Sequence, residues 1–196
     1  MARLPYVDAA TASPAVRETL ARVPESLRIF RMMAHAETNL RPLLRLGTSI
    51  LTEQKLSGAL RELAILRVAR LSPAEYEWIQ HVPIAQAVGV SAAQVEALRR
   101  DDIAAACFSA PERLVLRFTT EVVREVRASD AVFAEMVQCF TPQEIVELIL
   151  AIGFYMTMAR LMESTGLDLD EAAGGVMMDG LKRANPKRHT ARKAST

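Results

Sequence analysis

A glutamate and a histidine in neighbouring predicted helices are the residues of this sequence best suited to do chemistry. Glu62 lies in the segment RELAILRVARL, where it shares a helical face with Leu66 and Ala69. His81 ends the next segment, EYEWIQH, one helical turn after Glu77. On adjacent antiparallel helices Glu62 and His81 can meet, and such a pair is a general acid/base unit for reactions near neutral pH.

The same residues also have a purely structural interpretation. A histidine on an apolar face is often a satisfied core residue, and a buried Glu62 can anchor a backbone N–H group. Tyr76 and Trp78 are typical of core or interface positions, whereas Glu77 on its own is typical of solvated surface. The spacing alone leaves both interpretations open.

A turn at residues 71–73 separates the two predicted helices. Ser72 can cap the second helix, Pro73 fits its first position, and Glu75 completes a capping box. We therefore expect the second helix to begin at about Pro73 and to lie antiparallel to the first.

The stretch 60–89 resembles the core of the carboxymuconolactone decarboxylase and alkyl hydroperoxidase D superfamily. The motif of that superfamily is a Glu, eleven residues, Cys-x-x-Cys, three residues and a His. Glu62 and His81 match the motif, whereas Ala74 and Glu77 stand at the two cysteine positions. The flanking residues resemble the cysteine-free, decarboxylase-like branch, and weaker similarity extends over 109–166. The resemblance implies an all-α, alkyl hydroperoxidase D-like helical bundle with a central antiparallel helix pair.

The resemblance also implies an enzyme that performs cofactor-free acid/base catalysis on a small carboxylated lactone or a related acid. His81 would be the general acid or base, and Glu62 would orient it. A substrate carboxylate needs a cation, for which Arg67, Arg70 and Arg160 are all candidates. The other candidate pocket and substrate-binding residues are Tyr76, Trp78, Glu77, Tyr155 and Phe30.

Two other classes of function remain open at the level of the sequence. An alkyl hydroperoxidase-like, peroxiredoxin-type redox protein needs a thiolate and a resolving thiol, which Ala74 and Glu77 do not supply. Cys107 and Cys139 could replace them only if the two met near His81. The remaining class is a non-catalytic helical assembly module, which a pocket filled by aromatic side chains would support.

The composition predicts a single helical domain in the cytoplasm, without a membrane anchor. The chain has 196 residues, of which 51% are hydrophobic and 24% are charged, enough for a sizeable core. The longest apolar run, at about 148–159, is too short to span a bilayer, and the start MARLPYVD lacks the apolar core of a signal peptide. Two cysteines without a pattern agree with a reducing compartment.

We expect three parts along the chain: an extended N-terminal arm over 1–12, the helical domain over 13–173, and a flexible basic tail over 174–196. The last fifteen residues hold six Lys or Arg and no acid. Nothing in the body of the chain favours nucleic-acid recognition despite this tail.

Capping signals predict where several later helices begin. Ser91, Ser109 and Thr141 each start a capping box, and Thr141 opens a long helix that is apolar nearly all round and that Gly166 ends. Such a helix must be covered, so we expect a central position or an interface. The resemblance favours a homo-oligomer, either a dimer, a trimer or a hexamer.

Apolar spacing also predicts which residues of two other helices face inward. These are Leu40, Leu43, Leu44 and Leu46 in a helix over 38–51, and Leu114, Val115, Phe118, Val122 and Val126 in the helix after Ser109.

No metal or cofactor is predicted. His35, His81 and His189 lack the spacing of metal ligands, and the sequence has neither a glycine-rich phosphate loop nor a dinucleotide-binding fingerprint.

Overall fold

A computed structural model describes residues 1–23 and 27–173, and this part of the chain is all-helical, with no β-strand. The predicted fold class is therefore confirmed. The predicted basic tail over 174–196 lies outside the described residues. The helices are α1 (Pro14–Leu20), α2 (Arg28–Met33), α3 (Glu37–Glu53), α4 (Gly58–Leu71), α5 (Glu75–Ala87), α6 (Ala92–Arg99), α7 (Ala110–Glu125), α8 (Asp130–Cys139) and α9 (Pro142–Thr165).

Helix α4 is the centre of the bundle. It packs against α5, α7 and α9, and every residue from Arg61 to Ala69 is buried. A helix that is buried on all sides must find partners for its polar side chains within the protein. Three polar residues lie in this buried stretch: Arg61, Glu62 and Arg67.

The turn between α4 and α5 differs from the prediction. The backbone N–H of Ser72 donates to the carbonyl oxygen of Val68, and that of Ala74 donates to the carbonyl oxygen of Ala69, both at 2.9 Å. Ser72 and Pro73 therefore complete the end of α4, and no side chain caps α5 at Ala74. The predicted capping box at Ser72 is wrong, and α5 begins two residues later than expected.

The other predicted capping boxes are present. Ser91, Ser109 and Thr141 are the N-caps of α6, α7 and α9, and in each case the side chain three residues later accepts a hydrogen bond from the N-cap backbone N–H. Gly166 ends α9 in the left-handed region, with φ of 59°. These boundaries follow from local hydrogen bonding, which is why the sequence predicts them.

Two residues predicted to face inward are exposed. Val126 is 89% exposed because α7 ends at Glu125 and Val126 adopts a left-handed conformation beyond that end. Leu46 is 40% exposed because it lines an open cavity instead of the core.

Helix α9 occupies the whole segment predicted between Thr141 and Gly166, and thus extends beyond the apolar run at 148–159. It extends over 24 residues without interruption at Gly153 or Thr157, and by length and composition alone it could cross a membrane. It packs against α3, α4, α5, α7 and α8, which cover one side of it. On its outer side Val146, Ile149 and Leu150 are between 40% and 55% exposed.

Residues 1–12 contain no helix and lie across α2 and the segment that follows α9. The backbone N–H of Arg3 donates to the carbonyl oxygen of Thr165 at 2.7 Å, and the Tyr6 hydroxyl donates to an Asp168 carboxylate oxygen at 3.0 Å. The Arg31 guanidinium donates to the carbonyl oxygen at residue 7, at 3.0 Å. These bonds hold the N-terminal segment against its own helical domain.

Candidate active site

An open cavity of about 880 Å³ lies between α2, α3, α5 and the C-terminal half of α9. This volume is within the range of small-molecule sites. Gly47 on α3 lets the Phe154 ring approach closely, since a Cβ atom at Gly47 would lie 3.0 Å from it. The lining is mostly apolar and includes Phe30, Met33, Leu44, Phe154, Met158 and Met162.

The structure brings Glu62 and His81 together at the wall of this cavity. The Nδ1 atom of His81 lies 2.8 Å from Oε2 of Glu62. Because an ionised carboxylate only accepts hydrogen bonds, Nδ1 is the donor. The Nε2 atom has no hydrogen-bond partner among the described residues, and His81 lines the cavity. This nitrogen is therefore the one that can act on a ligand.

Arg61 is a third member of this hydrogen-bonded group, and the sequence did not predict it. Its Nε atom donates to Oε1 of Glu62 at 3.2 Å, and both side chains are buried. Glu62 thus accepts from a guanidinium on one oxygen and from an imidazole on the other. These partners offset the cost of removing its charge from water.

Glu77 lies one helical turn before His81 on α5 and also lines the cavity. It is only 2% exposed, and neither carboxyl oxygen has a hydrogen-bond partner among the described residues. Burial raises the pKa of Glu77 well above its ordinary value, and the nearby carboxylates of Glu62 and Glu163 raise it further. The interpretation of Glu77 as solvated surface is wrong, because the side chain is buried and its surroundings favour the protonated form.

Tyr155 packs directly on the histidine. The ring centroids of Tyr155 and His81 are 4.6 Å apart, in an edge-to-face arrangement at 84°. Burial raises the pKa of Tyr155 well above its ordinary value, and the charge of Glu62 adds to this. The side chain is therefore a phenol that supports His81 and lines the cavity.

Tyr76 and Phe30 also line the cavity. The Tyr76 hydroxyl donates to an Asp170 carboxylate oxygen at 2.6 Å. Burial, followed by this hydrogen bond, raises the pKa of Tyr76. The Tyr76 hydroxyl is thus bound to the segment after α9, and the Tyr76 ring forms part of the apolar wall of the cavity.

The structure does not bring Trp78 and Arg70 to this cavity. They line a separate pocket of about 310 Å³, where the Arg99 guanidinium lies 4.9 Å from the centroid of the Trp78 ring. Trp78 follows Glu77 directly, and successive helical residues point about 100° apart around the axis. One step along α5 therefore moves the side chain to another face.

Arg67, another candidate for binding a substrate carboxylate, is engaged elsewhere. It is buried and bonds Thr120 and Asp101, and its hydrogen bond lowers the pKa of Asp101. Arg160 is exposed and donates to the carbonyl oxygen of Met156. Neither arginine lines the cavity.

The arginines that do line the cavity come from α3 and from the segment that follows α1. They are Arg22, Arg41 and Arg45, none of which was considered in the sequence analysis. Arg41 and Arg45 are one helical turn apart in the predicted helix over 38–51, so the sequence did contain a signal for them.

Comparison with known protein families finds a match to part of the chain. Residues 38–121 match the model of the carboxymuconolactone decarboxylase family. This segment is similar to that family. It contains Arg61, Glu62, Glu77 and His81 and runs from α3 into α7. A comparison with curated proteins found no match.

Solved structures share the alkyl hydroperoxidase D-like helical fold with this chain. An uncharacterized peroxidase-related protein from Ralstonia eutropha, described as an alkylhydroperoxidase AhpD core, superposes with a TM-score of 0.76 at 16% identity, over 90% of this chain and 96% of its own. A peroxidase-related protein from Silicibacter sp. gives a TM-score of 0.72 at 16% identity, over 86% of this chain and 92% of its own.

A third solved structure with this fold holds a ligand. It is an alanine variant of the debrominase Bmp8 in complex with 2,3,4-tribromopyrrole, with a TM-score of 0.69 at 15% identity, over 92% of this chain and 96% of its own. At such identities the three structures show the fold that they share with this chain, and nothing about its substrate.

The two thiols of the chain lie outside the cavity. Cys107 and Cys139, the only cysteines of the chain, are both exposed, and neither lines the cavity. Among the described residues there is no group of three or more His, Cys, Asp or Glu side chains placed to hold a metal ion.

Proposed function

We propose that this chain is a carboxymuconolactone decarboxylase-like, cofactor-free acid/base enzyme that acts on a carboxylated lactone or a related acid. The observation that carries the proposal is the hydrogen bond between His81 and Glu62 at the wall of a mostly apolar cavity. A histidine whose Nδ1 atom is held by a carboxylate presents Nε2 in a fixed orientation, as general acid/base catalysis needs.

The roles of the residues follow from this arrangement. In a decarboxylation, the bond between the substrate carbon and its carboxylate breaks, carbon dioxide leaves, and the electron pair passes to the adjacent unsaturated group. The carbon then takes up a proton, which Nε2 of His81 is placed to deliver. Glu62 orients the ring and balances its charge when both nitrogens are protonated, and Arg61 holds Glu62 in place.

The cavity supports a substrate with an apolar portion. Its volume of about 880 Å³ exceeds what a small lactone fills, and most of its lining is apolar. Arg41 and Arg45 offer cations at its α3 side for a second acidic group of the substrate.

The other two classes of function have less support. Structural neighbours include peroxidase-related proteins and a debrominase, but a thiol mechanism needs a sulfur atom beside His81, and Cys107 and Cys139 do not line the cavity. An inert assembly module would be supported by a filled pocket, whereas here Tyr76 forms part of the wall and the cavity is open.

An activity screen of the wild type, His81→Ala and Glu62→Gln tests the proposal. The panel comprises 4-carboxymuconolactone, related lactones, β-keto acids bearing alkyl chains, and a hydroperoxide with a dithiol reductant. We expect turnover of a lactone or acid, with kcat lowered about 10²-fold or more in His81→Ala, as the loss of a general acid/base gives. Glu62→Gln should also lower kcat, since an amide does not balance the charge of the ring.

The matched control is the double variant Cys107→Ser with Cys139→Ser, which should retain the activity of the wild type. Peroxide reduction that disappears in this double variant while His81→Ala retains it would contradict the proposal and identify a thiol enzyme.

A further inference from the structure

We propose that Glu77 binds the substrate as a neutral carboxylic acid, donating a hydrogen bond from its O–H group to a lactone or ketone carbonyl oxygen. This assignment rests on the proposed function and deepens it, because it names the group of the substrate that faces α5.

The position of Glu77 is the first support. It precedes His81 by four residues on α5, so the two side chains lie on the same face of the helix, and both line the cavity. A ligand in contact with His81 is therefore also within reach of Glu77.

The unpartnered carboxyl group is the second support. Both oxygens of Glu77 are buried and lack a hydrogen-bond partner among the described residues, whereas the neighbouring Glu62 accepts from Arg61 and His81. Nearly all buried polar groups in folded proteins are hydrogen-bonded, so an exception at a cavity wall indicates a group whose partner arrives with the ligand. Because both oxygens are closed off from solvent, the carboxyl must turn toward the cavity when the ligand binds.

The protonation state of Glu77 determines what it can offer. Its burial, together with the nearby charges of Glu62 and Glu163, raises its pKa, and the guanidinium of Arg61 is already engaged by Glu62. A protonated carboxyl group has one O–H donor, whereas a carboxylate only accepts. The matching substrate atom is thus an acceptor such as a carbonyl oxygen.

This hydrogen bond would contribute where charge develops during the reaction. When the carbon–carboxylate bond breaks and carbon dioxide leaves, the electron pair moves onto the carbonyl oxygen as an enolate, and the Glu77 O–H group stabilises that oxygen. His81 then delivers a proton to the carbon, and the enolate returns to the carbonyl form. One carboxylate and one proton are consumed, and one carbon dioxide and one C–H bond are formed, so Glu77 keeps its proton.

The state of Glu77 can be measured without any turnover. Infrared spectroscopy of the intact protein at pH 7 separates the C=O stretch of a protonated carboxylic acid from the bands of carboxylates. We expect a protonated band in the wild type that is absent in Glu77→Gln. Glu163→Gln is the matched control and should retain the band, because Glu163 is exposed and does not line the cavity.

Binding of γ-octalactone, a neutral lactone with an apolar chain, then tests the hydrogen bond by calorimetry. Glu77→Gln still offers an N–H donor, so its Kd should stay within about threefold of the wild type. Glu77→Leu offers none, and its Kd should rise about tenfold, the factor that one hydrogen bond contributes. Circular dichroism checks that each variant is folded.

Three results would overturn the assignment: no protonated band in the wild type, no binding of the lactone to the wild type, or equal affinity in Glu77→Leu. If the band and the binding pattern are found but no acid in the activity panel is decarboxylated, the assignment of Glu77 stands and the proposed reaction fails.

Discussion

Glu62 and Glu77 are both buried carboxyl groups, and the partners around them decide what each can do. Glu62 accepts hydrogen bonds from Arg61 and His81, so its charge is balanced inside the protein. Glu77 has no such partner among the described residues, and its pKa is raised by burial and by neighbouring carboxylates. One residue therefore orients the histidine, and the other retains a proton.

We expect Glu77→Gln to stabilise the fold at neutral and alkaline pH. In the unfolded chain Glu77 loses its proton near its ordinary pKa of 4.5, whereas in the folded chain it keeps the proton to a much higher pH. Between these values the unfolded state binds fewer protons, so the free energy of unfolding of the wild type falls as pH rises, by at most about 1.4 kcal/mol per pH unit. Glutamine does not ionise, so the variant lacks this decrease in the free energy of unfolding.

Urea denaturation of both proteins at pH 4.5, 6 and 7.5 measures the effect. The advantage of Glu77→Gln should be small at pH 4.5 and should grow toward pH 7.5. Glu96→Gln, at an exposed glutamate on α6, is the control and should leave the pH dependence unchanged. A difference between wild type and Glu77→Gln that is constant with pH would show that Glu77 ionises normally in the folded chain.

For single residues, the sequence predicts a pair whose members are related by helical spacing and a motif. It does not predict burial that depends on helices distant in the sequence. Glu62 and His81 were predictable from helical spacing and from the motif that they match. The burial of Glu77 depends on α3 and α9, which lie far away in the sequence. Arg61 was missed because its burial follows from the complete enclosure of α4, which the residues next to it do not reveal.

At the scale of single elements, helix boundaries depend on short-range hydrogen bonds. Capping boxes correctly predicted the starts of α6, α7 and α9. The same pattern failed at Ser72, where the backbone of the turn completes α4 instead. A capping pattern in a very short turn can serve either helix, and the choice depends on how the two helices pack.

We expect Thr141→Ala to lower the free energy of unfolding by about 1 kcal/mol, because the Thr141 side chain caps α9. Thr141→Ser keeps the hydroxyl and should lower the free energy of unfolding by only about a few tenths of a kcal/mol. Chemical denaturation of the three proteins gives the values. An equal loss in both variants would show that the methyl group of Thr141, and not its cap, is what stabilises the helix.

At the scale of the whole molecule, the outer side of α9 stands out. Val146, Ile149 and Leu150 form an exposed apolar stripe on a helix whose other side covers α4. A contiguous exposed apolar patch on a protein often marks an interaction site. We propose that two or more copies of the chain associate through this stripe, in keeping with the predicted homo-oligomer.

We expect Ile149→Arg to shift the chain to a smaller species, because a buried, unpaired guanidinium at an interface is costly. Analytical ultracentrifugation over a range of concentrations measures the mass. Ala93→Arg places the same charge on an exposed position of α6, away from the stripe, and should leave the assembly intact. If the wild type is monomeric at all concentrations, or if Ile149→Arg keeps the mass of the wild type, the stripe is not the interface.

The close approach of Phe154 to Gly47 shows that the shape of the cavity depends on a different helix from the ones that carry Glu62 and His81. Glu62 and His81, the proposed acid/base pair, lie on α4 and α5, whereas the wall opposite is α3, which makes its main contacts with α1, α2 and α9. A change at Gly47, Leu43 or Leu44 would reshape the space offered to a ligand without moving the histidine. Substitutions on α3 can thus change which ligand the cavity accepts while the proposed acid/base pair stays in place. Variants made to accept a new substrate should therefore be changed on α3 first.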